Sequence, residues 1–277
     1  MLDAAGFDPR AMADFFERLQ RATRYSDSGP SYLRTHPLTY ERIADVQNRL
    51  QGLPYRQVTD SLDFQLIRAR LRATLDTPRD ARIFFEQSLT ERKFLSEAAS
   101  RYGLAVSLMR LKDLAEAKRE LDLVRKMPVR SPIIENQYCR LTAESSDPAG
   151  ALPCYEAAIK SYPNYRSLAY DYADALLLSR RPNDALKFVE ARLALQTEDA
   201  RLYTLQARAY AQLDKRFSHH RALAEAYVRK GDYREGMEQL RIALKSGDGD
   251  FYQLSAAEAR MKQLRLLDEE MRRDMGS

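Results

Sequence analysis

The chain has 277 residues, 44% hydrophobic and 31% charged, and its 45 lysines and arginines against 40 aspartates and glutamates leave a net charge of +5. That length supports one large or two smaller cored domains, and charges of both signs are interspersed throughout, which excludes a disordered polyelectrolyte and a concentrated nucleic-acid stripe. No run of roughly 18 apolar residues exists, so no helix is expected to span a membrane.

Residues 1–58 form the first segment. Gly6 reads as a helix-terminating glycine, and Asp8-Pro9 opens a new helix with Met12, Phe15, Phe16 and Leu19 on one face. A polar loop from Ser26 to Pro30 leads to Leu33-Arg34-Thr35-His36-Pro37. Another amphipathic helix follows, carrying Ile43, Val46 and Leu50.

Residues 59–277 are periodic. Ala105, Cys139, Ala173 and Ala207 recur at about 34 residues, and so do Ala117, Ala151 and Ala185. Bulkier series run beside them: Leu104, Tyr138, Tyr172, and Leu121, Tyr155, Val189. Small residues at matching places in two successive helices let those helices approach closely. The bulky neighbours fill the gap to the next pair, because one helical hairpin cannot bury its own apolar face. Short polar turns at Leu111-Lys112-Asp113, Ser146-Asp147-Pro148 and Arg180-Arg181-Pro182-Asn183 separate the helices, and Met127-Pro128 and Tyr162-Pro163-Asn164 close two units. Ser145-Ser146 and Pro153 predict short or kinked helices in the middle unit. The register breaks near the end, where His219 falls on a small-residue position. Ala224 and Tyr227 with Gly231-Asp232-Tyr233, Gly236, Leu240 and Ala243 restore a hairpin half a period out of step. This predicts one extra helix around Phe217–Arg229, shared between neighbouring hairpins. His219-His220 are read as surface residues.

The period resembles the tetratricopeptide repeat, most closely over residues 99–213. The expected fold is therefore an all-α tetratricopeptide-repeat (TPR) helical solenoid. No tryptophan occurs, so the early aromatic of the repeat is missing. Such arrays bind extended peptides or partner helices on the face lined by their first helices. Carried onto this sequence, that face includes Tyr102, Met109, Arg110, Asn136, Arg140, Tyr170, Asp174 and Arg208. Aromatic, Met and Arg side chains suit interface hot spots, and Arg110, Arg140 and Arg208 suit an acidic or C-terminal carboxylate partner, diluted by Asp174. Ordinary solvated helix residues would give the same pattern.

The N-terminal segment carries a second resemblance. Ala4-Ala5-Gly6-Phe7-Asp8-Pro9-Arg10-Ala11-Met12, Phe15-Phe16-Glu17-Arg18-Leu19, Thr35-His36-Pro37 and Glu41-Arg42-Ile43-Ala44 resemble the end of the catalytic domain in the HtpX and CAAX prenyl protease family of zinc metallopeptidases. The resemblance continues through Asp63-Phe64 into the repeats. It is nearest to the BepA-type periplasmic branch, which fuses the peptidase to a C-terminal TPR array and serves outer-membrane assembly.

The resemblance implies that residues 1–58 are the C-terminal remnant of a peptidase domain and residues 59–277 its repeat array. An HExxH helix and a third, glutamate zinc ligand would lie upstream of residue 1. This chain alone would hold no zinc, and the longer protein would be a zinc metalloendopeptidase. His36 and Arg42 would neighbour its active site, with His36 supporting the reaction or contacting zinc in a closed state; capping the turn before Pro37 is the plain alternative for His36. The partners implied are proteins or peptides, including outer-membrane proteins or their assembly machinery, with no nucleic acid, in the periplasm. A free-standing repeat adaptor is the competing reading. No P-loop, GxSxG, GxGxxG or HExxH motif occurs in the chain. In an oxidising compartment Cys139 and Cys154, on the two helices of one hairpin, could be bridged, while two buried free thiols remain the alternative.

Overall fold

The computed structural model describes residues 5–23, 40–50, 59–145 and 148–276. Two compact units divide at Ser61/Leu62. Among the described residues all regular structure is helical.

The first unit contains α1 (Arg10–Thr23) and α2 (Tyr40–Leu50). Gly6 takes a positive φ of 82°, and the Asp8 carboxylate accepts from the Arg10 amide at 3.0 Å, capping α1 as its sequence predicts. Ala13 and Ile43 are buried, and Gln47 of α2 donates to Glu17 of α1 at 3.1 Å. Phe7, Met12 and Phe15 are exposed.

The second unit runs α3 (Leu62–Leu75), α4 (Pro78–Thr90), α5 (Glu97–Arg110), α6 (Leu114–Lys126), α7 (Pro132–Ser145), α8 (Leu152–Ser161), α9 (Arg166–Leu178), α10 (Pro182–Leu193), α11 (Ala200–Gln212), α12 (Arg216–Val228), α13 (Tyr233–Leu244) and α14 (Phe251–Gly276). Helix starts are written locally. Thr77, Ser96, Asp113, Asp199 and Asp232 each accept a backbone N–H from the first turn that follows, and Pro78 and Pro182 occupy first-turn positions where no N–H is needed. Pro153 likewise sits in the first turn of α8, which is short at 10 residues and begins without a side-chain cap. The middle unit is thus shortened by its proline, not bent in mid-helix.

The small-residue series is the spine. Ala69, Ala81, Ala105, Ala117, Cys139, Ala151, Ala173, Ala185 and Ala207 are all buried at the crossings of successive helices. Leu121, Tyr155 and Val189 fill the layer between hairpins. The first hairpin, α3/α4, joins the same scheme: the ring of Phe85 lies over Gly103 so closely that a Cβ there would sit 2.3 Å from the ring. Cys139 and Cys154 are bridged, with their Cα atoms 5.5 Å apart, so of the two alternatives the disulfide forms. It ties α7 to α8 in the hairpin whose second helix lacks a cap.

The expected extra helix is α12. It packs against both α11 and α13, with Ala222, Ala224 and Ala226 buried along it. His219 and His220 are not free surface residues. Both are part-buried, with Nδ1 of His219 2.9 Å from the Ala207 carbonyl oxygen and Nδ1 of His220 2.8 Å from Oε1 of Gln239. A helix packed between two others leaves only a narrow exposed strip, which carries Arg221.

Candidate peptide-binding face

The first helices of successive hairpins, α5, α7, α9 and α11, carry every residue expected on the binding face. Three of these residues are inside the protein. Tyr102 is 0% exposed, Asn136 2% and Met109 5%, so they do not present an open surface. For Tyr102 and Met109 the reason is the hairpin α3/α4, whose Leu66, Ala69 and Phe85 share one core cluster with them. Burial pushes the Tyr102 phenol up to about 12, opposed by the nearby Arg70 guanidinium. Its hydroxyl and the Asn136 Oδ1 are buried without a hydrogen-bond partner among the described residues.

Most of the others are held by acidic or basic neighbours on the next first helix. Arg140 makes a bidentate pair with Asp171 across the α7–α9 boundary, Nε to Oδ2 at 2.5 Å and Nη2 to Oδ1 at 3.1 Å. Asn136 donates to the same carboxylate at 2.9 Å. Burial works to lower the Arg140 pKa, and Asp171 outweighs it, leaving the guanidinium firmly charged. Tyr170 donates to Asp199 at 2.5 Å, and the Arg201 guanidinium lies 4.9 Å from the Tyr170 ring centre. Asp174 pairs with Arg208 and, at 3.7 Å, with Arg201. The polar residues of this face therefore form a ladder from one repeat to the next, which fixes their rotamers and uses up much of their charge.

Arg110 is turned to another task. Its Nη1 donates to the backbone carbonyls of Ala73 and Asp76 at the end of α3, the latter at 2.9 Å. It thereby satisfies carbonyls that a helix end leaves open.

At the α3 end of the ladder is a cleft of about 450 Å³ between α3, α5 and α7. Val106 and Met109 form its apolar part, and Arg70, Arg110, Lys112 and Arg140 line it with Glu144 as the one carboxylate. Lys112 reaches Glu144 at 3.3 Å, and both side chains stay largely exposed. Arg70 and Lys112 escaped the sequence reading. The missed signal for Arg70 is a spacing of 105 − 69 = 36 between Ala69 and Ala105, which puts Arg70 in register with Arg140, Asp174 and Arg208.

His36 lies outside the described residues. Arg42 belongs to α2, and its side chain lies outside them too. Among the described residues no group of three or more His, Cys, Asp or Glu could hold a metal ion, and no helix is long and apolar enough to cross a membrane.

The tetratricopeptide repeat family matches residues 143–209. The beta-barrel assembly-enhancing protease of Escherichia coli K12 is 29% identical over 97% of this chain and 55% of its own length. The protein of the same name from Yersinia pestis is 24% identical over 99% of this chain and 56% of its own. The chain thus spans about half the length of these curated relatives. Among solved structures, MamA from Desulfovibrio magneticus RS-1 aligns with a TM-score of 0.45 and 19% identity over 63% of this chain and 97% of its own. The fold is a tetratricopeptide-type helical solenoid, and the chain is similar, over nearly its whole length, to the beta-barrel assembly-enhancing proteases.

Proposed function

We propose that this chain is the protein-binding part of a BepA-type zinc-dependent periplasmic protease, recruiting outer-membrane proteins or their assembly machinery and regulating the protease it is joined to. The observation that carries the reading is the similarity to proteins of that name over 97% of the chain, together with a face built from ordered repeats. Residues 1–58 are then the end of the peptidase domain, with His36 and Arg42 beside the active site. Zinc belongs to the longer protein, where it would polarise the scissile carbonyl and activate water. The Cys139–Cys154 bridge supports an oxidising compartment such as the periplasm.

Two measurements test the reading. The genomic reading frame upstream of residue 1 should encode an HExxH helix; a frame without one overturns the protease parentage in favour of a free-standing adaptor. The purified chain should capture a urea-unfolded outer-membrane β-barrel protein on dilution and leave the same protein, once folded in detergent, unbound. Equal capture of both, or of neither, overturns the recruiting role.

A further inference from the structure

We infer that the outer side of the α3/α4 hairpin, at the open end of the repeat array, is a docking surface for an anionic lipid bilayer. The repeat shows that this side is an end. In α5, Gly103 and Ser107 are buried, and the ring of Phe85 from the α3/α4 hairpin lies over Gly103. At the spacing that joins Ala69 to Ala105, the equivalent positions in α3 are Ile67 and Leu71. Both stay open: Ile67 is 41% exposed, Leu71 53% and, one turn further on, Leu75 80%. Helix α3 is therefore apolar on two sides. Leu66, Ala69 and Ala73 face the core, and Ile67, Leu71 and Leu75 form a stripe facing out. The terminal repeat of a solenoid ordinarily turns a polar face to water, so an aliphatic stripe in that place marks a contact surface.

The charge beside the stripe selects the occupant. A cleft of about 300 Å³ runs between α3, α4 and the start of α5. Phe84, Phe94 and Leu95 give it an apolar wall, and Arg68, Arg72 and Lys93 line it with no carboxylate among the lining residues. Arg72 lies 3.9 Å from the Phe84 ring centre, which places the cationic edge of α3 towards α4. Arg72 meets Asp76 at 3.7 Å and Lys93 meets Glu91 at 2.8 Å, but both pairs are in the open, where water screens them. Arg68 has no acidic partner among the described residues. Long cationic side chains along the edge of an exposed aliphatic stripe suit a helix lying in a membrane interface. The aliphatic groups enter the acyl region, and the cations reach the phosphates. The cleft gives an acyl chain a place to lie beneath its phosphate. A second copy on the same face would bring the same uncompensated cations together, because a two-fold contact sets each patch against itself.

Flotation of the full 277-residue chain with vesicles tests this. One set is phosphatidylethanolamine and phosphatidylglycerol at roughly 3:1, the other phosphatidylcholine alone. The chain should float with the anionic vesicles and bind phosphatidylcholine at least about tenfold more weakly, since each cation near an anionic surface is worth about fivefold. Salt at about 0.5 M should weaken the anionic binding. Ile67→Glu combined with Leu71→Glu, checked for unaltered circular dichroism, should weaken it by at least about tenfold. Arg68→Gln keeps the stripe and should weaken it by about fivefold. Leu178→Glu, at an exposed leucine closing α9, should change it less than about twofold. No flotation with anionic vesicles at about 1 mM lipid, or flotation that survives the double substitution, overturns the surface. A chain that is dimeric by light scattering, and monomeric with the double substitution, gives the face to a second copy and overturns it as well. Capture of unfolded β-barrel protein that the double substitution abolishes, without any flotation, gives the face to a protein partner instead.

Discussion

The Nδ1 of His219 lies 2.9 Å from the carbonyl oxygen of Ala207, at the crossing where the preceding hairpins place a second alanine. In those hairpins Ala105 meets Ala117 and Ala173 meets Ala185, all four fully buried. An imidazole cannot pass through so narrow a crossing, so it lies against the neighbouring backbone and exchanges close packing for a hydrogen bond. From there the small residues restart with Ala224 and Gly236. A Cβ added to Gly236 would come within 3.3 Å of the Ala224 carbonyl oxygen. Helix α12 therefore closes one hairpin with its His219 edge and opens the next with its Ala224 edge. This single helix produces the half-period slip in the sequence.

The turns inside the hairpins obey the same rhythm and give the first prediction. Lys112, Arg180 and Asp214 follow α5, α9 and α11 with positive φ of 64°, 55° and 55°, and Gly231 follows α12 at 80°. Each lets the next amide reach back into the last turn, as when Arg181 N–H donates to the Leu176 carbonyl at 2.9 Å. An L side chain pays about 1 kcal/mol for this conformation and glycine does not. Arg180→Gly should therefore stabilise the protein by about 0.5–1 kcal/mol. Gly231→Ala should destabilise it by about 1 kcal/mol, although a Cβ there meets nothing within 4 Å. Urea unfolding of both variants measures this, and equal midpoints would show that the turns carry no such strain.

The second prediction concerns the bridge across the α7–α8 hairpin. The chain purified from an oxidising compartment and unfolded without reductant should show no reactive thiol, since Cys139 and Cys154 are paired. Reduction should lower the unfolding free energy by about 3 kcal/mol, the loop-closure entropy for a separation of 15 residues. The fold should survive, because Cys139 occupies a small-residue position that a thiol also fills. A loss below about 1 kcal/mol would show that opening this loop gives the unfolded chain little extra freedom.

The array was legible in sequence because a close helix crossing favours a small side chain, and that position stays small in hairpin after hairpin until His219. Ala105, Cys139, Ala173 and Ala207 mark the register even where the turns between them differ. The first hairpin was harder to place, because the segment between Thr90 and Glu97 lengthens its period and shifts Arg70 out of step. The face itself was only half legible. Periodicity assigns Arg140 and Tyr170 to it, but whether a polar side chain faces a ligand or its neighbour depends on the residue one repeat along. Asp171 and Asp199 fill that place here. Tyr102 illustrates a related effect: its helix position is that of a groove residue, and the hairpin before it buries the side chain.

The last prediction follows from that buried tyrosine and its neighbours. Burial is the first cause raising the phenols of Tyr102, Tyr170 and Tyr172 to about 12, and it also raises Tyr155 and Tyr210. Tyr170 and Tyr172 are raised further by hydrogen bonds to Asp199 and Glu156. A phenol held in its neutral form by the fold, with an unfolded pKa near 10, releases its proton more readily once the chain unfolds. The stability that these groups contribute is fully present below about pH 10 and is lost as pH rises from there through about 12. Urea midpoints should be level between about pH 8 and 9 and fall steadily above about 10. The ultraviolet absorbance of tyrosinate should lag behind that of the unfolded chain over the same range. Tyr102→Phe should flatten part of the fall, since phenylalanine has no proton to lose and the hydroxyl it removes has no hydrogen-bond partner. An unchanged slope in that variant would remove Tyr102 from the alkaline transition and leave the fall to the other four phenols.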